Sequence, residues 1–227
     1  MSRFSWADAP SQTAFPIARP GYPFIGAAAF ATAVFALLGL KSLSLIGLVA
    51  AFCICAFFRD PDRVIPTTPG AVVSPADGKI IKVERVADAD AYGGDCLQIS
   101  IFMTIFNVHV NRISHEGRIV DLQYRPGRFL SADKEAASIS NEQNAVTVET
   151  PDGRRLVVVQ VAGLIARRIV CSVQPGDEVA RGQRFGMICF GSRLDVYLPP
   201  EADALVARGD RVRAGTSILA TLGGGAA

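Results

Sequence analysis

The chain has 227 residues, 50% of them hydrophobic, a length that suits one sizeable domain plus a small appendage. Its formal net charge of +2 at pH 7 excludes a chain-wide basic field of the kind that binds nucleic acid. Its five cysteines show no CxxC or Cys/His spacing, so we expect reduced thiols without a structural disulfide or zinc.

Two apolar stretches follow a tail that we assign to residues 1–21. Tyr22–Leu40 and Leu43–Phe58 are almost wholly apolar, and only two residues interrupt them. At about 1.5 Å per residue in a helix, the first stretch approaches the roughly 30 Å of a bilayer core, whereas the second falls short. We therefore predict a membrane-associated helical hairpin over residues 22–58. A shallow, non-spanning hairpin and a buried pair of core helices are the alternatives.

Arginines flank this predicted hairpin on both sides. Arg3 and Arg19 precede it, and Arg59 and Arg63 follow it. Because positively charged flanks tend to stay on the cytoplasmic side of a membrane, both ends of the hairpin are expected there. The sequence thus predicts a protein at the cell membrane, on its cytoplasmic face.

From Arg59 onward, short β-rich runs alternate with turn signals such as Asp77-Gly78 and Pro126-Gly127. This spacing predicts that residues 59–227 form a mainly β body, a compact sandwich or barrel. One short helix is expected, around Ala132–Ser138. The predicted strands are Lys79–Arg85, Cys96–Phe102, Arg118–Tyr124, Ala145–Thr150, Leu156–Val161, Gln183–Phe190 and Leu194–Leu198.

The body contains a weak internal repeat. Gly176–Gly182 is echoed by Gly209–Gly215, each with the pattern G-D-x-V-x-x-G before an apolar run. Glycine lets the chain turn with positive φ and pass close to a neighbouring strand. Such hairpins resemble those of biotinyl/lipoyl-like domains, and Ser74–Ile80 resembles their opening strand. We therefore expect a sandwich built of related hairpins.

Few residues of the body are suited to acid–base chemistry. Of the two histidines, His109 lies in a strand-like alternation with Asn107 and Asn111, whereas His115 is typical of a turn. A single histidine in a strand is more often a satisfied structural residue than a catalyst. Asp77 is equally ambiguous, because an Asp-Gly pair favours a turn.

The Gly191-Ser192 pair lies between two predicted strands. A tight turn is the ordinary interpretation of such a pair. However, a glycine carbonyl, with no neighbouring Cβ, is also open to close approach by the hydroxyl of the serine that follows it. The pair is therefore a candidate for an internal acyl shift.

Seven segments occur in an order that carries a family resemblance. They are Phe57–Arg63, Ser74–Gly78, Ile101–Met103, Asn107–Arg112, Ala137–Glu142, Ala166–Ile169 and Phe190–Arg193. Together, behind an apolar hairpin, they resemble the short prokaryotic form of the phosphatidylserine decarboxylases. Three positions depart from family patterns: Arg193 follows the serine, Arg112 replaces a second strand histidine, and Gln143 stands where short forms often have Arg.

The resemblance implies a carboxy-lyase that converts phosphatidylserine to phosphatidylethanolamine and CO₂. It implies a proenzyme that cuts itself between Gly191 and Ser192 into a large chain, 1–191, and a small chain, 192–227. The two chains are expected to stay together as a heterodimer, with a higher oligomer left open. The implied cofactor is a pyruvoyl group made from Ser192, which forms a Schiff base with the lipid amine; no metal and no pyridoxal phosphate is expected.

The resemblance also implies roles for individual residues. Asp77, His109 and Ser192 correspond to an Asp–His–Ser arrangement, in which Asp77 orients His109 and His109 takes the proton of the Ser192 hydroxyl. Arg167 and Arg168 are candidates for the lipid phosphate or carboxylate, because Arg binds either group bidentately. A solvated arginine pair is the alternative. Asn111 and Arg112 complete the set of substrate-binding candidates.

Three other functions fit parts of the sequence. A membrane-anchored lipoyl-like adaptor without catalysis explains the apolar hairpin and the repeat. A β-sandwich metallopeptidase would use His109, but two histidines supply few ligands. A pyruvoyl enzyme acting on a soluble amino acid is the third alternative, and the apolar hairpin argues against it.

Overall fold

The computed structural model describes residues 16–131, 140–163, 169–189 and 192–223. The chain divides after Asp62 into an N-terminal helical unit and a β body. The helix predicted around Ala132–Ser138 lies outside the described residues, and so do Arg167, Arg168 and Gly191.

The helical unit contains a 3-10 turn, Arg19–Gly21, and two helices, α1 (Tyr22–Leu37) and α2 (Lys41–Phe57). No residue of α1 is buried, and Phe57 is the one buried residue described in α2. The pair therefore does not form a buried core, as one alternative had it. The helical stretch Arg19–Leu37 is long and apolar enough to cross a membrane, whereas α2 is apolar but shorter.

Small residues let the two helices pack closely. A Cβ added to Gly47 of α2 would collide with the side chain of Thr32 in α1. At the open end of the pair, the Ala18 N–H donates to the Phe58 carbonyl at 2.8 Å, and the Phe24 and Phe58 rings stack 5.5 Å apart. The predicted apolar helical hairpin is therefore confirmed.

The body is built of β-strands. In the part of the chain that the structure describes, they are β1 (Ala71–Val73), β2 (Gly78–Ala89), β3 (Gly94–Met103), β4 (Val110–Arg112), β5 (Gly117–Arg125), β6 (Gln143–Glu149), β7 (Arg155–Val161), β8 (Ile169–Cys171), β9 (Glu178–Val179), β10 (Arg184–Ile188), β11 (Ser192–Leu198), β12 (Asp203–Ala204), β13 (Arg211–Val212) and β14 (Ile218–Thr221).

The strands form one large sheet and two small ones. The large sheet has the order β13-β2-β3-β11-β7-β6-β5-β9, and the small ones have the orders β1-β14-β12 and β4-β10-β8. The pairings between these strands are all antiparallel. Apolar residues on one face of the large sheet, such as Ile99, Val158 and Leu194, pack with Phe185 and Leu219 of the small sheets. The prediction of a mainly β body behind an apolar helix pair is confirmed.

Each of the seven predicted strands has a counterpart, but two boundaries near the candidate cut were wrong. β10 ends at Ile188 rather than Phe190, and β11 begins at Ser192 rather than Leu194. Ser192 therefore starts a strand and is not part of a turn, because its Cα is paired with that of Met103 in β3. Of the seven shorter strands, β4 falls within the strand-like alternation predicted around His109, and the other six were not predicted, since two to four residues carry too little alternation.

The body consists of two copies of one motif. The first copy matches the second strand by strand in how the strands pair. The strands of the first copy are β1, β2, β3, β11, β12, β13 and β14, and their counterparts in the second are, in the same order, β4, β5, β6, β7, β8, β9 and β10. The registers agree: Val212 pairs with Gly78 as Val179 pairs with Gly117. The G-D-x-V-x-x-G echo is the visible remnant of this duplication, and its last glycines, Gly182 and Gly215, have φ of +75° and +72°.

The second copy is inserted within the first. In the second copy, β6 and β7 are joined by a tight turn, 150–154, closed by the Thr150 N–H donating to the Arg154 carbonyl at 2.8 Å. In the first copy, β3 and β11 pair in the same way, but the entire second copy lies between them. The inserted copy therefore leaves after Met103 and returns at Ser192, a junction that we call the insertion seam.

Candidate active site

Ser192 lies at the insertion seam in a buried position. Its strand, β11, pairs with β3 on one side and β7 on the other. The residue is fully buried, and its Oγ donates to Sδ of Met103 at 3.4 Å. Because a thioether is a weak acceptor, this contact leaves the hydroxyl available for a stronger base.

His109 lies on the other connection of the inserted copy. After β3, the chain makes a short turn in which Asn107 Oδ1 accepts from both the backbone N and Oγ1 of Thr104 at 2.8 Å. His109 is then fully buried just before β4. Since Val110 pairs with Met187, the antiparallel register places His109 next to Ile188, shortly before Ser192. The seam thus brings the histidine and serine connections to one end of the body.

The expected alternation of Asn107, His109 and Asn111 on one strand face was wrong in part. The strand is confined to Val110–Arg112, and Asn107 closes the preceding turn. The Asn107 side chain closes that turn through its own hydrogen bonds, as asparagine commonly does in turns, so Asn107 has a local structural role. His109 and Asn111 remain two residues apart at the start of β4.

A chain of buried amides holds Asn111. Asn144 Nδ2 donates to Gln160 Oε1 at 3.0 Å, and Gln160 Nε2 donates to Asn111 Oδ1 at 2.9 Å. Gly186 gives the Gln160 amide room, since a Cβ there would lie 2.9 Å from Nε2. Within the described residues, the buried Nδ2 of Asn111 has no hydrogen-bond partner. A buried donor without a partner costs about 1–3 kcal/mol of folding free energy. Such a donor calls for an explanation, and a bound ligand that accepts its hydrogen bond is one.

Asp77 is held by an ion pair rather than by His109. Its carboxylate accepts from Arg63 Nη2 at 2.9 and 3.1 Å and from the Ala214 N–H at 2.8 Å. No hydrogen bond to His109 is recorded for Asp77 among the described residues. The turn that contains Asp77 does reach β4, because Arg112 N–H donates to the Pro75 carbonyl at 2.9 Å. The orienting role of Asp77 stays a prediction.

In the second copy the equivalent carboxylate is also paired with an arginine, which comes from a different place in the motif. Glu116 occupies the position of Asp77, directly before the glycine that opens the paired strand. Arg181 Nε and Nη2 each donate to its carboxylate at 2.7 Å, and these bonds lower the pKa of Glu116. His115, beside it, is buried in the turn with a ring nitrogen 2.8 Å from the Glu116 carbonyl, in agreement with its turn interpretation.

Arg112 lies between the two copies. It is 2% exposed, and its Nη1 donates to the Gly182 carbonyl at 2.9 Å. A Cβ on Gly215 would lie 3.0 Å from Arg112 Cδ, so the side chain passes between the last glycines of both repeats. Its substrate-binding role, like those of Arg167 and Arg168, stays a prediction.

Asn141 is a residue of this region that the sequence did not single out for a role. It is fully buried; its Oδ1 accepts from the Leu130 N–H at 2.9 Å, and its Nδ2 donates to the carbonyls of Leu130 and Ala162 at 2.8 and 2.7 Å. Ala162 lies beside Ser192, because Arg193 pairs with Val161. Asn141 therefore ties the β5–β6 connection to the chain next to Ser192, through long-range contacts that no local pattern reveals.

Comparison with known proteins gives the family. Residues 50–220 match the family model described as phosphatidylserine decarboxylase. The chain is 50% identical to a protein of Geotalea uraniireducens, covering 91% of this chain and 97% of that protein. It is 48% identical to a protein of Desulfotalea psychrophila (92% and 97% covered) and 49% identical to one of Nitrosomonas eutropha (90% and 94% covered). All three are named phosphatidylserine decarboxylase proenzyme. The resemblance seen in the sequence is confirmed, and the chain belongs to the phosphatidylserine decarboxylase family.

Proposed function

We propose that this chain decarboxylates phosphatidylserine to phosphatidylethanolamine after cutting itself between Gly191 and Ser192. The observation that carries the proposal is the buried Ser192 at the insertion seam, where the connection that bears His109 also arrives. The relatives named as proenzymes of this decarboxylase support the same reaction and a processed precursor.

In the proposed self-cleavage, His109 takes the proton of the Ser192 hydroxyl as its Oγ attacks the Gly191 carbonyl. The bond between the Gly191 carbonyl carbon and the Ser192 nitrogen then breaks, and His109 returns its proton to that nitrogen. The amide has become an ester, with Gly191 carried on the serine oxygen and a free amine on Ser192. Loss of the Ser192 α-proton and breakage of the Cβ–O bond release Gly191 as a carboxylate and leave a dehydroalanine end. Water then replaces its nitrogen, which departs as ammonia, and a pyruvoyl group remains.

The residues around Ser192 fit a pyruvoyl group. A new chain end at Ser192 would stay within a central strand, hydrogen-bonded between β3 and β7. The next residue, Arg193, is paired with Phe102 of β3 and Val161 of β7, and its charge is matched within the strand, because its Nη2 donates to Asp195 Oδ2 at 2.8 Å in a pair almost without solvent exposure. The group would therefore be held in a fixed, dry position after the cut.

The pyruvoyl ketone supplies an electron sink for the loss of CO₂ from a bound amino acid. His109 is proposed to hold, on its imidazole, the proton that is returned to the substrate carbon. Asn111 is proposed to donate through its buried Nδ2 to a substrate oxygen, because that N–H has no other partner within the described chain. The buried position of both residues excludes water from this step.

The two products of the cut are proposed to remain one heterodimer. The small chain would contribute β11 through β14, and these strands pair with β3 and β7, with β2, and with β1. Separating the chains would therefore break both the large sheet and one small sheet. We further propose that the apolar helix α1 anchors the protein in the membrane from its cytoplasmic face, where the lipid substrate is reached.

A denaturing intact-mass spectrum of the purified chain tests the proposal. We expect two chains divided at Gly191–Ser192, the small one lighter by one ammonia than a chain with a serine terminus. Release of CO₂ from phosphatidylserine, compared with free serine, then tests the substrate. A single chain of full mass from protein that is folded would contradict the self-cleavage and would favour the adaptor alternative, which shares the lipoyl-like repeat.

A further inference from the structure

The strands of the eight-stranded sheet begin and end along two opposite sides, which we call edges, and these two rows of strand ends expose different side chains. One edge, which we call the site edge, contains the ends of β3, β5 and β7 and the starts of β6 and β11. Among the described residues of the body, six large hydrophobic side chains are exposed, and four of them lie at this edge. The six are Val64, Ile105, Phe106, Tyr124, Leu130 and Leu205, of which Ile105, Phe106, Tyr124 and Leu130 are the four at the site edge.

Ile105 and Phe106 form the tip of a closed turn. They are 45% and 79% exposed, and Asn107 holds the turn through its bonds to Thr104 N and Oγ1. The Asn107 N–H also donates to the Thr104 carbonyl at 3.0 Å. The turn follows Met103, the residue that contacts Ser192, and comes shortly before His109. Two adjacent apolar side chains are thus presented by a fixed turn directly beside the site.

Basic residues accompany these apolar tips. Arg125 and Arg128 are exposed at the end of β5, beside Leu130. Asn141 holds this segment through both the N–H and the carbonyl of Leu130, as described above. The site edge therefore combines apolar tips with cationic side chains on two anchored segments.

The opposite edge can be compared directly with the site edge, because the duplication relates the connections at one edge in one copy to the connections at the other edge in the other copy. Its described turns, 90–93, 150–154 and 199–202, contain none of the exposed large hydrophobic residues. The exposed charged residues there include Asp90, Asp95, Asp152 and Glu201, and also Arg118 and Arg155. Equivalent positions of one motif thus carry exposed apolar side chains with basic residues at the site edge, and at the opposite edge acidic residues together with the exposed Arg118 and Arg155.

We propose that the site edge docks on an anionic lipid bilayer, with Ile105 and Phe106 entering the acyl boundary and Arg125 and Arg128 contacting the headgroups. The proposal rests on the proposed function, since a headgroup must travel from a bilayer to the buried Ser192. Apolar side chains beside basic ones are the combination that binds an anionic membrane surface. The described turns of the opposite edge offer no exposed large hydrophobic side chain that could enter the same surface.

A depth measurement on the full chain tests this docking. The single tryptophan, Trp6, is replaced by Phe, and a reporter is introduced by Phe106→Trp or, at the opposite edge, by Tyr92→Trp. Vesicles contain phosphatidylcholine and phosphatidylglycerol, an anionic lipid that is not consumed, brominated near the glycerol. For the Phe106→Trp reporter we expect that vesicles shift the emission to the blue and that the brominated lipid quenches it. For the Tyr92→Trp reporter we expect neither a blue shift nor quenching. Equal quenching of the two reporters overturns the proposal.

A kinetic comparison tests the same surface without a reporter. The double variant Ile105→Ser/Phe106→Ser should retain self-cleavage and the turnover of short-chain, monomeric phosphatidylserine. Its turnover of vesicle phosphatidylserine should fall about tenfold, since two apolar side chains no longer leave water. An equal fall on both substrates would contradict docking. The quenching result requires no catalysis, so failure of the proposed reaction would be seen separately, as an uncut chain in the mass spectrum.

Discussion

The two copies of the motif differ most in the strand that opens each of them. In the first copy, β1 is Ala71-Val72-Val73, fully buried and apolar, and Gly70 precedes it. In the second copy, β4 is Val110–Arg112, equally buried, and His109 precedes it. The same backbone position therefore holds apolar side chains in one copy and histidine, asparagine and arginine in the other.

This difference separates what the fold requires from what the site requires. The first copy shows that the opening strand packs well with small apolar residues. Burying polar groups costs free energy unless each one is hydrogen-bonded, so packing alone gives no reason for His109 or Asn111. The duplication thus supplies an internal reference for stability, and the polar residues of the second copy point to chemistry at the seam.

The largest expected effect is that of Ser192→Ala. We expect one uncut chain and a loss of decarboxylation of at least about a thousandfold, because the attacking hydroxyl and the cofactor precursor are both removed. Intact mass and CO₂ release measure the two losses. Ser114→Ala is the matched control, since Ser114 is also buried and its Oγ has no partner within the described residues. A cut and active Ser192→Ala variant would remove the pyruvoyl assignment.

His109→Gln is expected to slow cutting by about 10²–10⁴-fold, because a side chain without a suitable pKa cannot take the serine proton. The time course of chain cleavage in freshly translated protein measures this rate. His115→Gln, in the neighbouring turn, should cut at the normal rate. Comparing the two variants shows whether cutting depends on the His109 imidazole itself or on the loss of any buried histidine. Normal cutting of the His109→Gln variant would exclude this residue from the self-cleavage.

Exchanging residues between the copies sharpens the comparison further. Asn111→Val introduces the residue type of its counterpart, Val72, and should slow decarboxylation while costing about 1–3 kcal/mol of unfolding free energy, because the buried Gln160 Nε2 loses its acceptor. The reverse change, Val72→Asn, should cost about 1–3 kcal/mol of unfolding free energy, since the first copy has no amide chain to receive it. Thermal unfolding and CO₂ release, measured on both variants, give the two effects. A large loss of stability with Asn111→Val and unaltered turnover would indicate a purely structural amide.

Much of the fold could be predicted from the sequence, and particular residues show where prediction ended. The apolar runs gave both helices because hydrophobicity over a bilayer-length window is a strong local signal. The long strands followed from period-two alternation, as in Cys96–Phe102, which lies within β3. Ser192 was placed in a turn, since a Gly-Ser pair reads locally as one, whereas pairing with Met103, far away in the chain, makes it the start of a strand.

The candidate site was predictable in its members but not in its contacts. The family-like segments supplied Ser192, His109 and Asp77, yet the partner of Asp77 in the structure is Arg63, from the connection before β1. The amide chain from Asn144 to Asn111 joins three strands, and no spacing rule reveals it. The duplication was visible only as a seven-residue echo because its remaining positions have diverged while their hydrogen bonds were kept.

The smallest effects concern the two equivalent carboxylates, Asp77 and Glu116, each of which is paired with an arginine. Glu116 is 42% exposed, so Glu116→Gln should lower the unfolding free energy at pH 7 by less than about 1 kcal/mol. The pKa of Glu116 is lowered by its bonds to Arg181, so this contribution is complete above the ordinary carboxyl pKa and is lost as the pH falls through the folded value. Denaturant unfolding, measured from neutral to acidic pH, should show that the unfolding free energies of the variant and the parent become equal as the pH falls.

Asp77→Asn removes the equivalent carboxylate in the first copy, where the side chain is 13% exposed and the loss of stability should be larger. If Asp77 acts only through Arg63, the variants Asp77→Asn and Arg63→Gln should lose stability alike and cut at the same rate. If Asp77 orients His109, Asp77→Asn should slow cutting beyond Arg63→Gln and shift its pH profile, because the imidazole loses a stabilising charge. The Glu116→Gln variant gives a reference for the loss of stability, since its carboxylate has the same position in the motif as Asp77, is also paired with an arginine, and has no histidine of the site to orient.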